Sequence, residues 1–134
     1  MINIMAVENS KQSLSILCNA IEEAVSKMKN HPEIKIHGFL SAEEAMSFAK
    51  NNMVDVVFTE GELNDYDGIE LICRLRKINN RVNAILVTEN QQYAEQTLKM
   101  NMRLSGYILK PPDSDAILNE LFNLWYPVKG IIAI

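Results

Sequence analysis

The chain has little cysteine, no long apolar run and no excess of positive charge, and each shortage removes a class of function. Its two cysteines, Cys18 and Cys73, fall among apolar residues in helical patterns, without the paired spacing of a zinc or redox motif. They read as free thiols of a reducing compartment. No apolar run approaches the roughly 20 residues that span a bilayer, and the opening Met-Ile-Asn-Ile lacks the basic region of a signal peptide. No membrane association is expected, and a cytoplasmic location is. The 13 Lys and Arg against 17 Asp and Glu give a net charge of −4 with no basic stripe, so these residues are not expected to grip nucleic acid directly. His31 and His37 have no companions at ligand spacing and are assigned no role.

What is present is a core. Of the 134 residues, 48% are hydrophobic, enough for one domain to bury both faces of a sheet without metal or disulfide help. Strand and helix patterns alternate along the chain, which is the βα signature. Strands are expected at 2–7, 34–39, 54–59, 82–88 and 107–109. Leu14, Leu17, Cys18, Ile21, Val25 and Met28 recur at helical spacing, giving a helix of about five turns that stops near Asn30-His31-Pro32. Ser41 and Glu44 form a capping box for a helix carrying Ala45, Phe48 and Ala49. Ile69, Ile72 and Cys73 mark a third helix ending in Arg74, Arg76 and Lys77, where cations suit the dipole. Tyr93, Ala94 and Leu98 suggest a shorter helix, and Ile117, Leu121 and Leu124 a last one entered through Pro112-Asp113. Met100 and Met102 read as core fillers.

The most informative segment runs from Val54 to Glu60, with Asp67-Gly68 after it. A β-branched and aromatic run broken by Gly61, Asn64, Asp65, Asp67 and Gly68 reads as a buried strand followed by an exposed loop, with Asp67-Gly68 as a turn. Glu60 is expected where that strand opens to solvent. In parallel α/β sheets, chemistry is placed beyond the carboxyl ends of the strands, so Glu60 is a candidate functional carboxylate.

Three spaced segments carry a resemblance. Ile-Leu-Val-Thr-Glu at 85–89, Gly106-Tyr-Ile-Leu-Lys-Pro111 and Asp67-Gly-Ile-Glu-Leu71 together resemble the receiver domain of bacterial two-component response regulators, of the chemotaxis-regulator kind, over about residues 2–126. The resemblance implies a flavodoxin-like, doubly wound α/β fold with a five-stranded parallel sheet in the order 2-1-3-4-5 and helices on both faces. It implies a receiver domain at 1–126 and, at 127–134, a tail or the start of a linker to an output domain. In such domains an Asp ending the third strand takes a phosphoryl group from a histidine kinase, helped by Mg²⁺ held by acidic residues after the first strand.

This chain departs from that pattern twice. The phosphoacceptor position is Glu60, and the acidic pair is Glu8-Asn9. Glu exceeds Asp by one methylene, about 1.5 Å, and misplacement of roughly 1 Å can cost on the order of 100-fold in rate. Mg²⁺ demands near-ideal octahedral oxygen geometry and leans on one or two carboxylates, so Asn9 is expected to weaken a site drawn from Glu8, Asn9, Glu60 and Glu62. By resemblance, Lys110 reaches toward Glu60, Thr88 offers a hydroxyl, and Tyr107 is the switch aromatic. Glu89 stands where relatives have a small residue and is expected to cover the pocket. With Glu8, Glu60, Glu62 and Glu89 near one lysine, a carboxyl pKa raised by like-charge repulsion is expected. The isomer of the Lys110-Pro111 bond, commonly cis in relatives, is left open by sequence.

The expected function is an atypical, or pseudo-, receiver: a non-enzymatic interaction module in signalling or transcriptional control, with phosphotransfer impaired. A glutamate carries one charge against the roughly −1.5 to −2 of a phosphoryl group. Inverting a switch from 1:99 to 99:1 takes about 5.5 kcal/mol, whereas one charge-assisted hydrogen bond supplies about 1.5 to 3. Glu60 is therefore expected to bias a switch without locking it. The partner is a histidine kinase or another signalling protein. The last two βα units offer the contact and homodimer face, with Tyr93, Gln96, Lys99, Ser105 and Asn119 as exposed positions. The alternative is a conventional phosphorylation-switched receiver, through slow labelling of Glu60 or through Asp65 or Asp67. A flavodoxin-like cofactor protein would need a Gly- or Thr-rich turn after the first strand, which Glu8-Asn-Ser-Lys-Gln-Ser13 matches poorly. Receivers that precede LytTR-type DNA-binding domains share the general look of the Tyr93 and Gly106–Pro111 segments.

Overall fold

The computed structural model describes residues 1–92, 95, 96 and 103–125, excepting the side chain of Trp125. In chain order they form β1 (Ile2–Val7), α1 (Lys11–Ser26), β2 (Ile34–Phe39), α2 (Ala42–Asn51), β3 (Val56–Thr59), α3 (Gly68–Ile78), β4 (Asn83–Thr88), β5 (Gly106–Leu109) and α4 (Ser114–Trp125). The strands pair in parallel in the order β2-β1-β3-β4-β5, the flavodoxin-like doubly wound arrangement that the resemblance implies.

Period-two alternation explains why the sheet is covered twice. Ile4 and Ala6 of β1, Val56 and Phe58 of β3, and Ile85 and Val87 of β4 point to one face, where they pack with Leu17, Ile21 and Ala24 of α1 and Ile117 and Leu121 of α4. Met5, Val7, Val57 and Ala84 point to the other, against Ala45 and Ala49 of α2 and Leu71, Ile72 and Leu75 of α3. Because both faces are apolar, neither can be left in water. Each fully buried Ile, Leu or Phe contributes about 1.5–3 kcal/mol relative to exposure.

Each helix starts at an oxygen that satisfies a free backbone donor. Ser10 Oγ accepts the Ser13 N–H, Ser41 Oγ the Glu44 N–H, and Asp67 Oδ1 the Glu70 N–H. Asp113 Oδ1 accepts the Ala116 N–H at the entry to α4. The Ser41 hydroxyl also contacts Glu44 Oε1 at 3.2 Å, so the expected capping pair meets. After α1 the chain reverses through Asn30, which takes a left-handed φ of 57°, a conformation that asparagine tolerates better than most residues.

Several boundaries differ from the sequence expectation. Helix α1 begins before Leu14 because Ser10 caps it, and it closes at Lys27 through a bond to the Ala24 carbonyl. Strand β3 begins at Val56 rather than at residue 54: Asp55 Oδ2 accepts the Asn3 N–H at 2.8 Å, placing a side chain where a ladder carbonyl would act. Asp67-Gly68 is the start of α3, not a free turn. The last helix runs as far as Trp125. The expected Tyr93 helix, Met100, Met102, Tyr126 and the tail at 127–134 lie wholly or partly outside the described residues.

Candidate functional site

Parallel pairing brings the carboxyl ends of β1, β3, β4 and β5 to one edge, and the ladder continues one residue past them. The Glu8 N–H donates to the Phe39 carbonyl at 3.1 Å, Glu60 N–H to Val7 at 3.0 Å and Lys110 N–H to Thr88 at 3.1 Å. Glu8, Glu60 and Lys110 therefore start from fixed backbone positions at the ends of β1, β3 and β5. Their side chains converge. Lys110 Nζ lies 2.6 Å from Glu60 Oε2, and it approaches Glu8 at 3.0 Å from Oε1 and 2.9 Å from Oε2. Only the Oε1 contact is aligned as a hydrogen bond, and Glu8 Oε2 has no hydrogen-bond partner.

Glu60 is not where the strand opens to solvent. It is 4% exposed and Glu8 1%, and the Glu60 carboxylate folds back on its own loop. Its Oε1 accepts the Gly61 N–H at 2.6 Å and the Glu62 N–H at 3.2 Å. One oxygen thus takes two backbone donors while the other takes the ammonium, an arrangement that makes burial of a carboxylate tolerable.

A cleft of about 210 Å³ opens above these groups, lined by Asn9, Ser13, Glu60, Glu62, Thr88, Glu89, Asn90 and Lys110. Glu62 and Glu89 are exposed on its rim, and Glu62 Oε1 is 3.5 Å from Asn90 Nδ2. Thr88 is buried, and its hydroxyl oxygen accepts the Asn90 N–H at 3.1 Å. Tyr107 points outward, 45% exposed. The Lys110-Pro111 bond is cis.

The pKa of Glu8 is raised, but chiefly by burial; the charge of Glu60 is a smaller cause, and Lys110 opposes both. Like-charge repulsion is therefore not the leading reason, contrary to the sequence expectation. Burial works to lower the pKa of Lys110, yet the hydrogen bonds and charges of Glu60 and Glu8 together outweigh it and the net shift is upward.

The other loop carboxylates are engaged elsewhere. Asp65 accepts the N–H groups of Ala42 and Glu43 at 3.0 and 2.8 Å, fastening the loop after β3 to the start of α2. Burial would raise its pKa, but these backbone donors prevail and lower it. Asp67 caps α3. Neither is aimed into the cleft as a substitute acceptor. Sequence reasoning misses Asn64 and Asn90. Asn64 Nδ2 donates to the Asn9 carbonyl at 2.9 Å, across 55 positions of sequence. Among the proposed contact positions, Gln96 and Asn119 are exposed. Ser105 is not free: its hydroxyl accepts the Ala84 N–H at 3.2 Å and reaches Asn83 Oδ1 at 3.3 Å.

The donor set does not fit the divalent cation that the resemblance implies. Mg²⁺ needs oxygens with free lone pairs in octahedral array, while the carboxylates of Glu8 and Glu60 share the Lys110 ammonium. The side chain of Asn9 donates its amide nitrogen to the Glu62 carbonyl at 2.8 Å and offers a cation only a neutral amide oxygen in place of a carboxylate. Among the described residues, no three His, Cys, Asp or Glu side chains are grouped to hold a metal.

Known proteins supply the comparison. The family model for the response regulator receiver domain matches residues 4–122. The chain is 28% identical over 126 residues to "Probable transcriptional regulator ycf29" of Porphyra purpurea, covering 92% of this chain and 56% of that protein. It is 30% identical over 103 residues to the sensory transduction protein LytT of Bacillus anthracis, covering 76% of this chain and 41% of LytT. The chain thus spans about half the length of these curated relatives. Among solved structures, the chemotaxis response regulator CheY4 of Vibrio cholerae superposes with a TM-score of 0.74 at 15% identity, covering 92% of this chain and 98% of that one. The BeF3-activated DrrB receiver domain gives 0.73 at 21%, covering 93% and 97%. At these identities the structures speak to fold alone. Receiver domains act in two-component signalling, commonly bind Mg²⁺ at an acidic phosphorylation site and interact with histidine kinases and other signalling partners. The family match runs from within β1 into the last helix and takes in every residue of the cleft, and the chain belongs to the response regulator receiver domain family.

Proposed function

We propose that this receiver is a pseudo-receiver: a cytoplasmic, non-enzymatic interaction module in which Glu60 occupies the phosphoacceptor's place and phosphotransfer is impaired. The observation that carries the reading is the engagement of the Glu60 carboxylate, which is turned onto the Gly61 and Glu62 N–H groups and paired with Lys110. An in-line attack needs a free oxygen with the donor held in a near-attack pose. Here Oε1 is filled by two backbone donors and Oε2 is held by the Lys110 ammonium, and the Asn9 amide stands where a second carboxylate would help hold a metal.

Without phosphorylation, output depends on which partners meet the standing conformation. Tyr107 and Leu109 of β5 and Phe122 of α4 are 45%, 47% and 42% exposed. They support a partner or homodimer face on the last βα unit, since exposed aromatic and aliphatic side chains mark contact surfaces. The transcriptional role that the name of the longer ycf29 relative carries is proposed here too, with this domain contributing protein contacts and no direct nucleic-acid binding.

Beryllofluoride with Mg²⁺ forms an acyl-phosphate mimic on receptive carboxylates and tests the reading. Amide spectra of the wild type are expected to stay unchanged at residues 60–62, 88 and 107. Saturable shifts at those positions would return the domain to the phosphorylation-switched class.

A further inference from the structure

The loop after β1 and the loop after β3 are joined by two side-chain amides. Asn9 Nδ2 donates to the Glu62 carbonyl at 2.8 Å, and Asn64 Nδ2 donates to the Asn9 carbonyl at 2.9 Å. The identities of the donors follow from what they face: each amide meets a backbone carbonyl, which can only accept. The two bonds involve both the main chain and the side chain of Asn9, so together they fix the position and the rotation of that residue. A divalent cation held by acidic residues after β1 would connect these same two loops. The geometry points to a metal-independent clamp, in which the amides of Asn9 and Asn64 hold the β1 and β3 loops in the registry that a cation would otherwise impose.

Asn9 is then a positioning residue, and its replacement of a carboxylate has two effects. It withdraws a negative charge from a cluster that already holds Glu8 and Glu60 against one lysine. It also supplies a donor that an aspartate lacks at neutral pH. An Asp at position 9 would turn an acceptor toward the Glu62 carbonyl, and the loops would separate unless a cation came between them. The clamp stands apart from the question of whether Glu60 accepts phosphate, and its test contains no phosphodonor.

The experiment follows thermal melting and amide hydrogen exchange at residues 61–64, with and without Mg²⁺, in wild type, Asn9→Asp and Asn64→Ala. Anything that binds only the folded state raises its melting temperature by mass action. Wild type is expected to melt at the same temperature with or without the ion. Asn9→Asp is expected to melt lower and exchange faster in chelator, and to recover both with Mg²⁺. Asn64→Ala loses a bond without gaining a ligand, so its loss should be the same in either condition. A saturable Mg²⁺-dependent rise in wild type would overturn the clamp. So would unchanged exchange at 61–64 in both variants, or an Asn9→Asp protein that Mg²⁺ does not restore.

Discussion

The Lys110 ammonium lies 2.6 Å from Glu60 Oε2, with 18% and 6% of the two side chains exposed. The same ammonium reaches Glu8, which is 1% exposed. One cation is therefore shared by two buried carboxylates that follow separate strands, and the site is held together by that shared charge. Replacing Lys110 with Met leaves both carboxylates without a cation, and breaking a buried pair in this way costs about 3 kcal/mol or more. Urea denaturation of Lys110→Met is expected to show that loss, and Lys110→Met with Glu60→Gln to recover part of it. Equal stability of Lys110→Met and wild type would mean the pair is not formed in solution.

The raised pKa of Glu8 sets the sign of a pH effect. Between its usual value of 4.5 and its higher folded value, the folded state holds a proton that the unfolded state has released. Stability attributable to Glu8 is therefore greatest below 4.5 and falls as pH rises through the folded pKa. Wild type is expected to lose stability relative to Glu8→Gln across that window, measured by denaturant midpoints at stepped pH. The reverse slope would contradict the assignment.

Asp65 is expected to act through α2 and not through phosphate. Asp65→Ala removes an acceptor for the Ala42 and Glu43 N–H groups, and loss of such a cap costs about 1 kcal/mol. Because the folded pKa of Asp65 is lowered, its contribution is present above 3.8 and is lost as pH falls through the folded value. A melting curve of Asp65→Ala indistinguishable from wild type would show that Asp65 does not fasten the loop after β3 to α2.

Gly68 is fixed by close approach. A Cβ at this position would overlap the Glu60 carbonyl oxygen, so the first turn of α3 can sit against the end of β3 only without a side chain. Overpacking of this kind typically costs about 1–3 kcal/mol. Gly68→Ala is expected to lose stability on that scale and to shift the amide signals of residues 60 and 61; an Ala accepted without either change would show that α3 yields instead.

The fold was legible because its determinants are local and repeated. Alternating residues such as Ile4 with Met5 and Phe58 with Val57 are apolar toward both sides, which only a sheet covered twice can satisfy. The approximate site was legible too, since strand ends in a parallel sheet meet at one edge. The direction of Glu60 was not. Whether a glutamate at a strand end swings outward or folds back depends on Lys110, fifty positions later, and on the N–H groups of its own loop. Asp67 differs from its sequence expectation for another reason. Asp67-Gly68 carries a turn signature, yet Glu70 three residues on completes a helix start, and the cap prevails. Asn64 gave no sequence signal, because its partner lies on another strand's loop.

Whether Glu60 accepts a phosphoryl group can be read from intact mass. Wild type and a variant carrying Glu60→Asp with Asn9→Asp are incubated with a small-molecule phosphodonor and Mg²⁺, then weighed. The expected result is an unmodified wild type beside a restored variant that gains one phosphoryl group. A wild type that gains the same mass, with the group mapped to Glu60, would make Glu60 a working phosphoacceptor.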